Sequence, residues 1–467
     1  MISIICHLLS LLVLLGGDMV KCEKPTIYLP VEIKARELKA KILLSMVAAE
    51  AGFRVYLGTK KSINNLVFNK EKKGGIYFYK GGKPYDFLCE IKKKIDSFVV
   101  LDEEMGPALH DIEMYCRRRI YPGTELLVDQ LFVIGAEHKI NLESARSELR
   151  GRVHVTGWPR VDLWRPEFSG LYAEEVESIR CRFGDYVLFS SDFGFLSEER
   201  VIEEVERFQK IEVLPSDVED YKKMAWSTYL DFKVFVDWVR RIDEDDSFPP
   251  LIIRPHPSES ISDWNMALPN LKKVKIIFEG DVGPWLYAAK GLIHRGCTTA
   301  VQAYTAKIPS VYWVGDNSRP KVESLVYRVS TPAVGCNELS LMVRKLFNDK
   351  GQLVSIDVSD RIFIDEELSC SKIVTLLASM RTTPACPYEI NFYWRAARFI
   401  FGALNEFRQM RGWGGAKSEL ARARRKMLGG IHRKEVSMIA GKLLPMFPGS
   451  VIERDFNLIE FDCDAVR

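Results

Sequence analysis

Three stretches of this 467-residue chain gather side chains able to do chemistry at points where a strand gives way to a loop. In VVLDEEMG an apolar run ends in Asp102, Glu103 and Glu104. Adjacent carboxylates repel one another, which raises a carboxyl pKa toward the range useful for an acid or a base. One of them could take a proton from an attacking hydroxyl, or attack an electrophilic carbon itself. Successive residues of an extended chain point to opposite sides, so only one of Glu103 and Glu104 should face a given cleft. His110 and Asp111 follow closely enough to join the same site. The competing reading is an acidic, solvated turn.

The second stretch is RPHP, closing the apolar strand LII. Ligands of open α/β sheets bind at the carboxyl ends of strands. Arg254 supplies a fixed cation with a planar fork suited to phosphate, and His256 a donor or a proton near neutral pH. The third is GLIHRGCTTAVQAY, which reads as strand, tight turn and helix. Gly296 allows the sharp turn. Thr298 and Thr299 fall at the helix start, where free N–H groups and the positive dipole end capture phosphate. His294 and Arg295 stand at the strand end beside it. Gln302, about one turn on, could reach a ribose hydroxyl. Ser190 and Ser191, ending the strand VLFSS, are counted with these nucleotide-binding residues. The alternatives are a rigid turn with a satisfied histidine for RPHP, and a plain N-cap for Thr298.

In VHVTGWPRVDLW a strand runs into a Gly/Pro turn carrying Arg160 and Asp162, which are expected to pair with each other. There is no GxGxxG loop after a strand, no GxxxxGK[ST] loop, no GxSxG elbow and no HExxH. No cysteine or histidine cluster has metal-ligand spacing, and no metal site is expected.

The elements that must position these residues alternate in type. Thr26–Val31 reads as a strand. Ala35–Ala51 reads as a helix with apolar residues at helical spacing, stopped by Gly52. Further short strands follow at 54–57, 75–79, 98–101, 131–134 and 153–156. A second set begins with Val187–Ser191 and continues through a long helical region from Glu198 to Ile242, broken near Pro215. Then come LIIRPHP, VKIIFEG, GLIHRG and PSVYWVG. Such alternation implies parallel sheets covered on both faces. The division expected is an apolar N-terminal segment at 1–24, a first Rossmann-like domain at 25–170, a second at 184–335, and a mostly helical, basic region at 336–467.

Hydrophobic content of 47% and charged content of 28% are those of a folded globular chain. A net charge of +3 provides no global field for nucleic acid. Ten cysteines, among them Cys89, Cys116, Cys181, Cys297 and Cys370, are scattered, as expected of thiols in a reducing compartment. The apolar run Ile2–Leu15 lacks a basic flank before Lys21 and is shorter than a membrane span. It is read as a poor signal peptide, a short anchor or residues upstream of a start at Met19, the last being favoured. Between Tyr393 and Leu444 arginines (Arg395, Arg398, Arg408, Arg411, Arg422, Arg424, Arg425, Arg433) interleave with aromatics. Helices of this kind lie on an anionic membrane or pack their apolar face on the core.

In their order, LDEEMG, VHVTGWPRVDLW, VLFSS, RPHPSE and HRGCTTAVQAYTAKIPSV resemble the bacterial surface carbohydrate biosynthesis proteins, which look like GT-B glycosyltransferases. More distantly the chain is similar to capsule Kdo transferases, CDP-glycerol glycerophosphotransferases and UDP-N-acetylglucosamine 2-epimerases. The resemblance covers Pro25 to Trp313. It implies an α/β, GT-B-like fold of two Rossmann-type doubly wound domains with a helical C-terminal extension. It further implies a nucleotide sugar held by Arg254, His256, Thr298 and Thr299 in the second domain. The first domain would present a glycan or lipid-linked acceptor and the carboxylate, Glu104 or else Glu103. Two departures stand out: Glu-Glu-Met-Gly where Kdo transferases have Glu-Asp-Gly, and Gln302 where related enzymes often have glutamate. The reaction expected is metal-independent glycosyl transfer in the cytoplasm or at the inner face of the membrane, without a cofactor. The alternatives are a nucleotide-sugar epimerase and a non-catalytic, membrane-associated binding protein.

Overall fold

A computed structural model describes residues 24–463 apart from 71–72, 83–84, 104–111, 121, 210–214, 319–323, 350–356, 384–426, 428, 444–448 and 456. The expected alternation closes into two sheets. The parallel part of the first is β1 (Thr26–Val31), β2 (Arg54–Thr59), β3 (Ile76–Tyr79), β4 (Ser97–Leu101), β5 (Gln130–Val133) and β6 (Val153–Val155). The second comprises β7 (Val187–Ser190), β8 (Leu251–Arg254), β9 (Lys275–Ile276), β10 (Leu292–His294), β11 (Ser310–Val314) and β12 (Thr331–Val334), in the order β12-β11-β10-β7-β8-β9. All of its pairs are parallel. The chain thus has two Rossmann-type units, the GT-B-like architecture.

Central strands such as β1 are buried along their whole length, because helices cover both faces of a parallel sheet. The first helix, Lys34–Glu50, stops as its sequence dictates. Gly52 takes φ +90°. The N–H groups of Gly52 and Phe53 return to the carbonyls of Ala49 and Ala48 at 3.0 Å each, a Schellman cap. The long helical region forms helices Glu198–Gln209 and Pro215–Glu244, and residues 210–214, where the break near Pro215 is expected, lie outside the described residues.

In each sheet one strand has its successors on opposite sides. β1 lies between β2 and β3, and β7 between β8 and β10. At such a switch point the connections diverge and leave a crevice at the carboxyl edge. The register puts Ser190 level with both Arg254 and His294 at that edge of the second sheet.

Two strands depart from their sequence reading. β9 is only Lys275–Ile276 instead of VKIIFEG, because the chain leaves the sheet where Arg254 engages the carbonyls of Glu279 and Gly280. β12 was not expected; Pro332 is tolerated there because β12 is an edge strand.

In the region 336–467, read as mostly helical, helices Gly335–Asp349, Ser369–Ala378 and Arg433–Leu443 are present, and the described residues add two strands that were not expected, β13 (Ser450–Asp455) and β14 (Leu458–Asp462). These form an antiparallel hairpin, and β14 pairs antiparallel with β2, extending the first sheet to eight strands, β13-β14-β2-β1-β3-β4-β5-β6. The strand was hidden by Glu460, an acidic residue at a buried position. Arg454 clamps it with two hydrogen bonds of 2.9 and 2.8 Å. Helices Ser369–Ala378 and Arg433–Leu443 both pack on Lys34–Glu50. The expected N-terminal segment, apart from Lys24, and most of the arginine-rich stretch lie outside the described residues. Among those described, no helix is long and apolar enough to cross a membrane.

One apolar cluster runs from the inner face of the first sheet through Trp158, Val161, Trp164 and Tyr172 to Leu188 and Leu292 of the second. The linker is therefore core, and the domains share it. Behind the first sheet, His138 is buried edge-on to Tyr115 and Trp158, and neither of its ring nitrogens has a hydrogen-bond partner among the described residues. Burial lowers its pKa to about 4, against 6.5 in the unfolded chain. Between those values the unfolded chain binds the extra proton, so stability is full above pH 6.5 and is lost as pH falls toward 4. His138→Leu should abolish this part of the acid sensitivity. In urea unfolding, the wild type is expected to lose roughly 2 kcal/mol more than the variant between about pH 7.5 and about pH 5. Equal losses would contradict the assignment.

Candidate active site

The carboxyl edge of the first sheet builds a small pocket lined by Arg36, Glu37, Lys41, Lys80, Leu101, Glu103 and Arg160. Lys80 follows β3, Glu103 follows β4, and Arg36, Glu37 and Lys41 come from Lys34–Glu50. Glu37 anchors the wall. Its carboxylate accepts from the backbone N–H of Glu32 at 2.9 Å and of Ile33 at 3.2 Å, from Lys41 at 2.9 Å and from Lys80 at 2.6 Å. Burial pushes its pKa up, but the charges of Lys41 and Lys80 and these hydrogen bonds outweigh it and hold the carboxyl far below the usual range.

Asp102 and Glu103 face opposite ways, as strand alternation requires. Asp102 receives Nε and Nη2 of Arg119 at 2.7 and 2.9 Å, a two-point ion pair that ties β4 to the helix Ile112–Arg119. Glu103 faces the pocket and accepts the backbone N–H of Arg160 at 2.9 Å. Burial raises its pKa, against the Arg160 N–H and the charges of Arg160 and Lys41. A buried carboxyl with a raised pKa is suited to proton transfer. Glu104, His110 and Asp111 lie outside the described residues.

Arg160 and Asp162 do not pair. Asp162 accepts Arg165 at 3.1 Å and the backbone N–H of Ser369 at 2.7 Å. The guanidinium of Arg160 lies over the Trp164 ring, 5.1 Å from its centre.

On the second sheet, the hydroxyls of Ser190 and Thr299 and the thiol of Cys297 lie within 3.4 Å of one another at the switch point. Thr298 precedes the helix Thr299–Thr305, and its hydroxyl makes no capping bond. A side chain at Gly296 would come within 2.9 Å of Asp192. Gln302 is buried beside Gly283, where an added Cβ would lie 3.3 Å from its amide nitrogen.

Glu259 organises the facing loop and carries no role in the sequence reading. One oxygen accepts Ser191 Oγ at 2.8 Å and Gly194 N–H at 3.0 Å; the other accepts His256 N–H at 3.0 Å and Trp264 Nε1 at 2.9 Å. It locks the loop after β7 to the loop after β8 and leaves His256 exposed at the cleft. Desolvation by the protein packed around the ring lowers the His256 pKa although its edge reaches solvent; Glu259 opposes this, and the charge of Arg36 from the first domain adds to it.

Three of the expected phosphate-side residues are engaged elsewhere. Arg254 donates Nη1 to the Glu279 carbonyl at 2.8 Å and Nη2 to the Gly280 carbonyl, so it shapes the loop before Asp281. Arg295 bonds Asp231 at 3.1 Å and Ser318 at 2.7 Å. His294 is buried against Ser330 at 2.8 Å, and burial lowers its pKa to about 3. The structure therefore brings together Ser190, Ser191, Gly296, Thr298, Thr299 and His256, and sets His294 and Arg295 behind them. The domains meet where Lys39 pairs with Asp281 at 3.2 Å over the Tyr172 ring. The missed residues Lys80 and Glu259 each follow a strand closely, at the sheet edge already singled out; Glu37 and Lys41 have the i,i+4 spacing of an ion pair. Among the described residues no group of three or more acidic, cysteine or histidine side chains could hold a metal.

No family model matches the chain, and no curated protein does. Among solved structures it is similar to the UDP-GlcNAc 2-epimerase of Methanocaldococcus jannaschii in complex with UDP-GlcNAc and UDP. The identity is 17% and the TM-score 0.40, over 76% of this chain and 99% of that one. It is similar to the wall teichoic acid polymerase TagF with 12% identity and a TM-score of 0.42, over 79% and 91%. It is also similar to Anabaena HepE in complex with UDP-glucose, with 11% identity and a TM-score of 0.39, over 76% and 100%.

Glu259→Gln replaces an acceptor oxygen with a donor amide facing N–H groups. It should lower folding stability by about 2 kcal/mol, since hydrogen bonds to a charged group are worth roughly 1.5–3 kcal/mol. An unchanged urea midpoint would remove Glu259 from this role.

Proposed function

We propose that this protein transfers a glycosyl group from a nucleotide sugar to a cell-surface glycan, a polysaccharide or a lipid-linked saccharide. The observation that carries the reading is the pairing of two different sheet edges at one domain junction. The second domain offers hydroxyls, a turn at Gly296 and His256 at a switch point, the place where α/β sheets receive nucleotides. The first offers Glu103 beside lysine and arginine. The nucleotide lies along Ser190, Ser191, Gly296, Thr298 and Thr299, with His256 toward its phosphates. Arg254 supports this site from behind by fixing the loop before Asp281.

The sugar lies in the cleft between the domains. Glu103 takes the proton of the acceptor hydroxyl as that oxygen bonds to the sugar carbon and the nucleotide leaves with the bonding electrons. Charge building on the leaving phosphate is met by His256, Arg36 and the backbone N–H groups near Thr298, in place of a divalent cation. The reaction belongs to the cytoplasm or the inner face of the membrane, where the arginine-rich stretch between Tyr393 and Leu444 would meet anionic lipid.

Calorimetry with CMP, CDP, UDP and GDP tests donor binding; one of them should bind with a Kd of about 1 mM or tighter. Glu103→Gln should keep that Kd within about twofold and lose roughly 10²–10⁴ in transfer rate, the usual contribution of a general base. Wild-type transfer by Glu103→Gln would sink the catalytic assignment. Binding of none of the four would favour a non-catalytic protein, and turnover of the nucleotide sugar without any acceptor would favour an epimerase.

A further inference from the structure

His256, Pro257, Ser258 and Glu259 form a β-turn at the carboxyl edge of the second sheet, and the turn decides the chemistry of its histidine. The Glu259 N–H closes it on the His256 carbonyl at 2.8 Å. Pro257 stands at the second position, which its fixed φ favours. The Glu259 carboxylate reaches back to the His256 N–H at 3.0 Å, so the backbone of the turn is tied at both ends. The Ser258 N–H takes no part in closing the turn. It donates instead to Nδ1 of the His256 ring at 3.2 Å, and Ser258 Oγ lies 2.7 Å from the same nitrogen.

A backbone N–H can only donate, so Nδ1 must offer its lone pair. The proton of the neutral ring then sits on Nε2. A second proton, on Nδ1, would face the Ser258 N–H and break this bond. The Glu259 carboxylate does not take a ring proton, because its oxygens are engaged by Ser191, Gly194, Trp264 and the His256 backbone. The charged groups that act on the ring are Glu259, on its own turn, and Arg36, from the first domain, and they act in opposite senses. Among the described residues nothing bonds Nε2, and the residue is exposed at the cleft.

We propose that Ser258 is a positioning residue that holds His256 as the neutral tautomer protonated on Nε2, and that this N–H donates a hydrogen bond to a phosphate oxygen of the nucleotide and keeps its proton. This rests on the reading of this edge as the nucleotide site, and it names the form in which the histidine serves it. The leaving phosphate then departs unprotonated, with the bonding electrons, and His256 meets its charge as a fixed dipole. A rigid turn supplies that dipole with no reorganisation during the reaction.

The test is nitrogen-15 NMR of the full chain labelled at histidine, free and saturated with the tightest binder among CMP, CDP, UDP and GDP. It is run at about pH 6.5, where an unconstrained ring is half charged. The His256 ring should show a protonated Nε2 and a bare Nδ1 in both states, and the Nε2 signal should move on binding. His256→Ala identifies the signals and should weaken the nucleotide Kd about tenfold. His256→Gln, whose amide N–H stands in for Nε2–H, should recover most of that loss. Ser258→Pro removes the N–H donor and should let the other tautomer and the cation appear. The wild-type spectrum decides even if that variant fails to fold. Two protonated ring nitrogens in the nucleotide complex, a bare Nε2, or His256→Gln binding no better than His256→Ala overturns the proposal, and the nucleotide site stands. If no nucleotide binds, or the bound one leaves the His256 signals unmoved, the nucleotide-site reading fails and the proposal falls with it.

Discussion

The helix Lys34–Glu50 has almost no face left for water, and much of the molecule is arranged around that fact. Its buried residues, from Glu37 and Leu38 to Ala49, run round the cylinder and not along one stripe. A helix of that kind must be covered on all sides. Sheet, linker, Ser369–Ala378 and Arg433–Leu443 supply the cover. This explains why the chain, after finishing the second domain, returns to the first and adds a hairpin to its sheet. The same burial forces Lys41 to meet Glu37 one turn away, and their pairing draws in Lys80. The ion-paired wall of the cleft thus follows from how the helix is packed.

The two domains solve the problem of a precise edge differently. The first uses ion pairs, with Glu37 and Asp102 holding lysine and arginine in place. The second uses one carboxylate, Glu259, to gather backbone and side-chain donors from separate loops. It uses one guanidinium, Arg254, to gather carbonyls. In each case a buried charge is made tolerable by several hydrogen bonds, and the loops it ties become rigid enough to present a ligand. Lys39 and Asp281 then join the edges across the domain boundary.

Local pattern made the frame legible and left the partners obscure. Apolar runs marked β1, β4, β7 and β8 because parallel strands bury both faces. Gly52 marked a helix end because the cap is a local, left-handed conformation. What could not be read was which way a charged group turns. Arg254 stands at the favoured strand end, but carbonyls from Glu279 and Gly280 claim it. Arg295 is claimed by Asp231 in the long helix Pro215–Glu244. The final hairpin escaped for the same reason, since Glu460 reads as a surface residue until the Arg454 side chain on the neighbouring strand clamps it.

The proposed reaction divides its labour between the domains, with nucleotide on the second domain's edge and the carboxyl on the first. Hydrogen–deuterium exchange with and without the bound nucleotide tests it most directly. Added protection is expected in the segments Ser190–Phe195, Arg254–Glu259 and Gly296–Gln302, with little change between Ser97 and Glu103. Protection centred on the Glu103 segment and absent around Ser190 and Thr299 would contradict it.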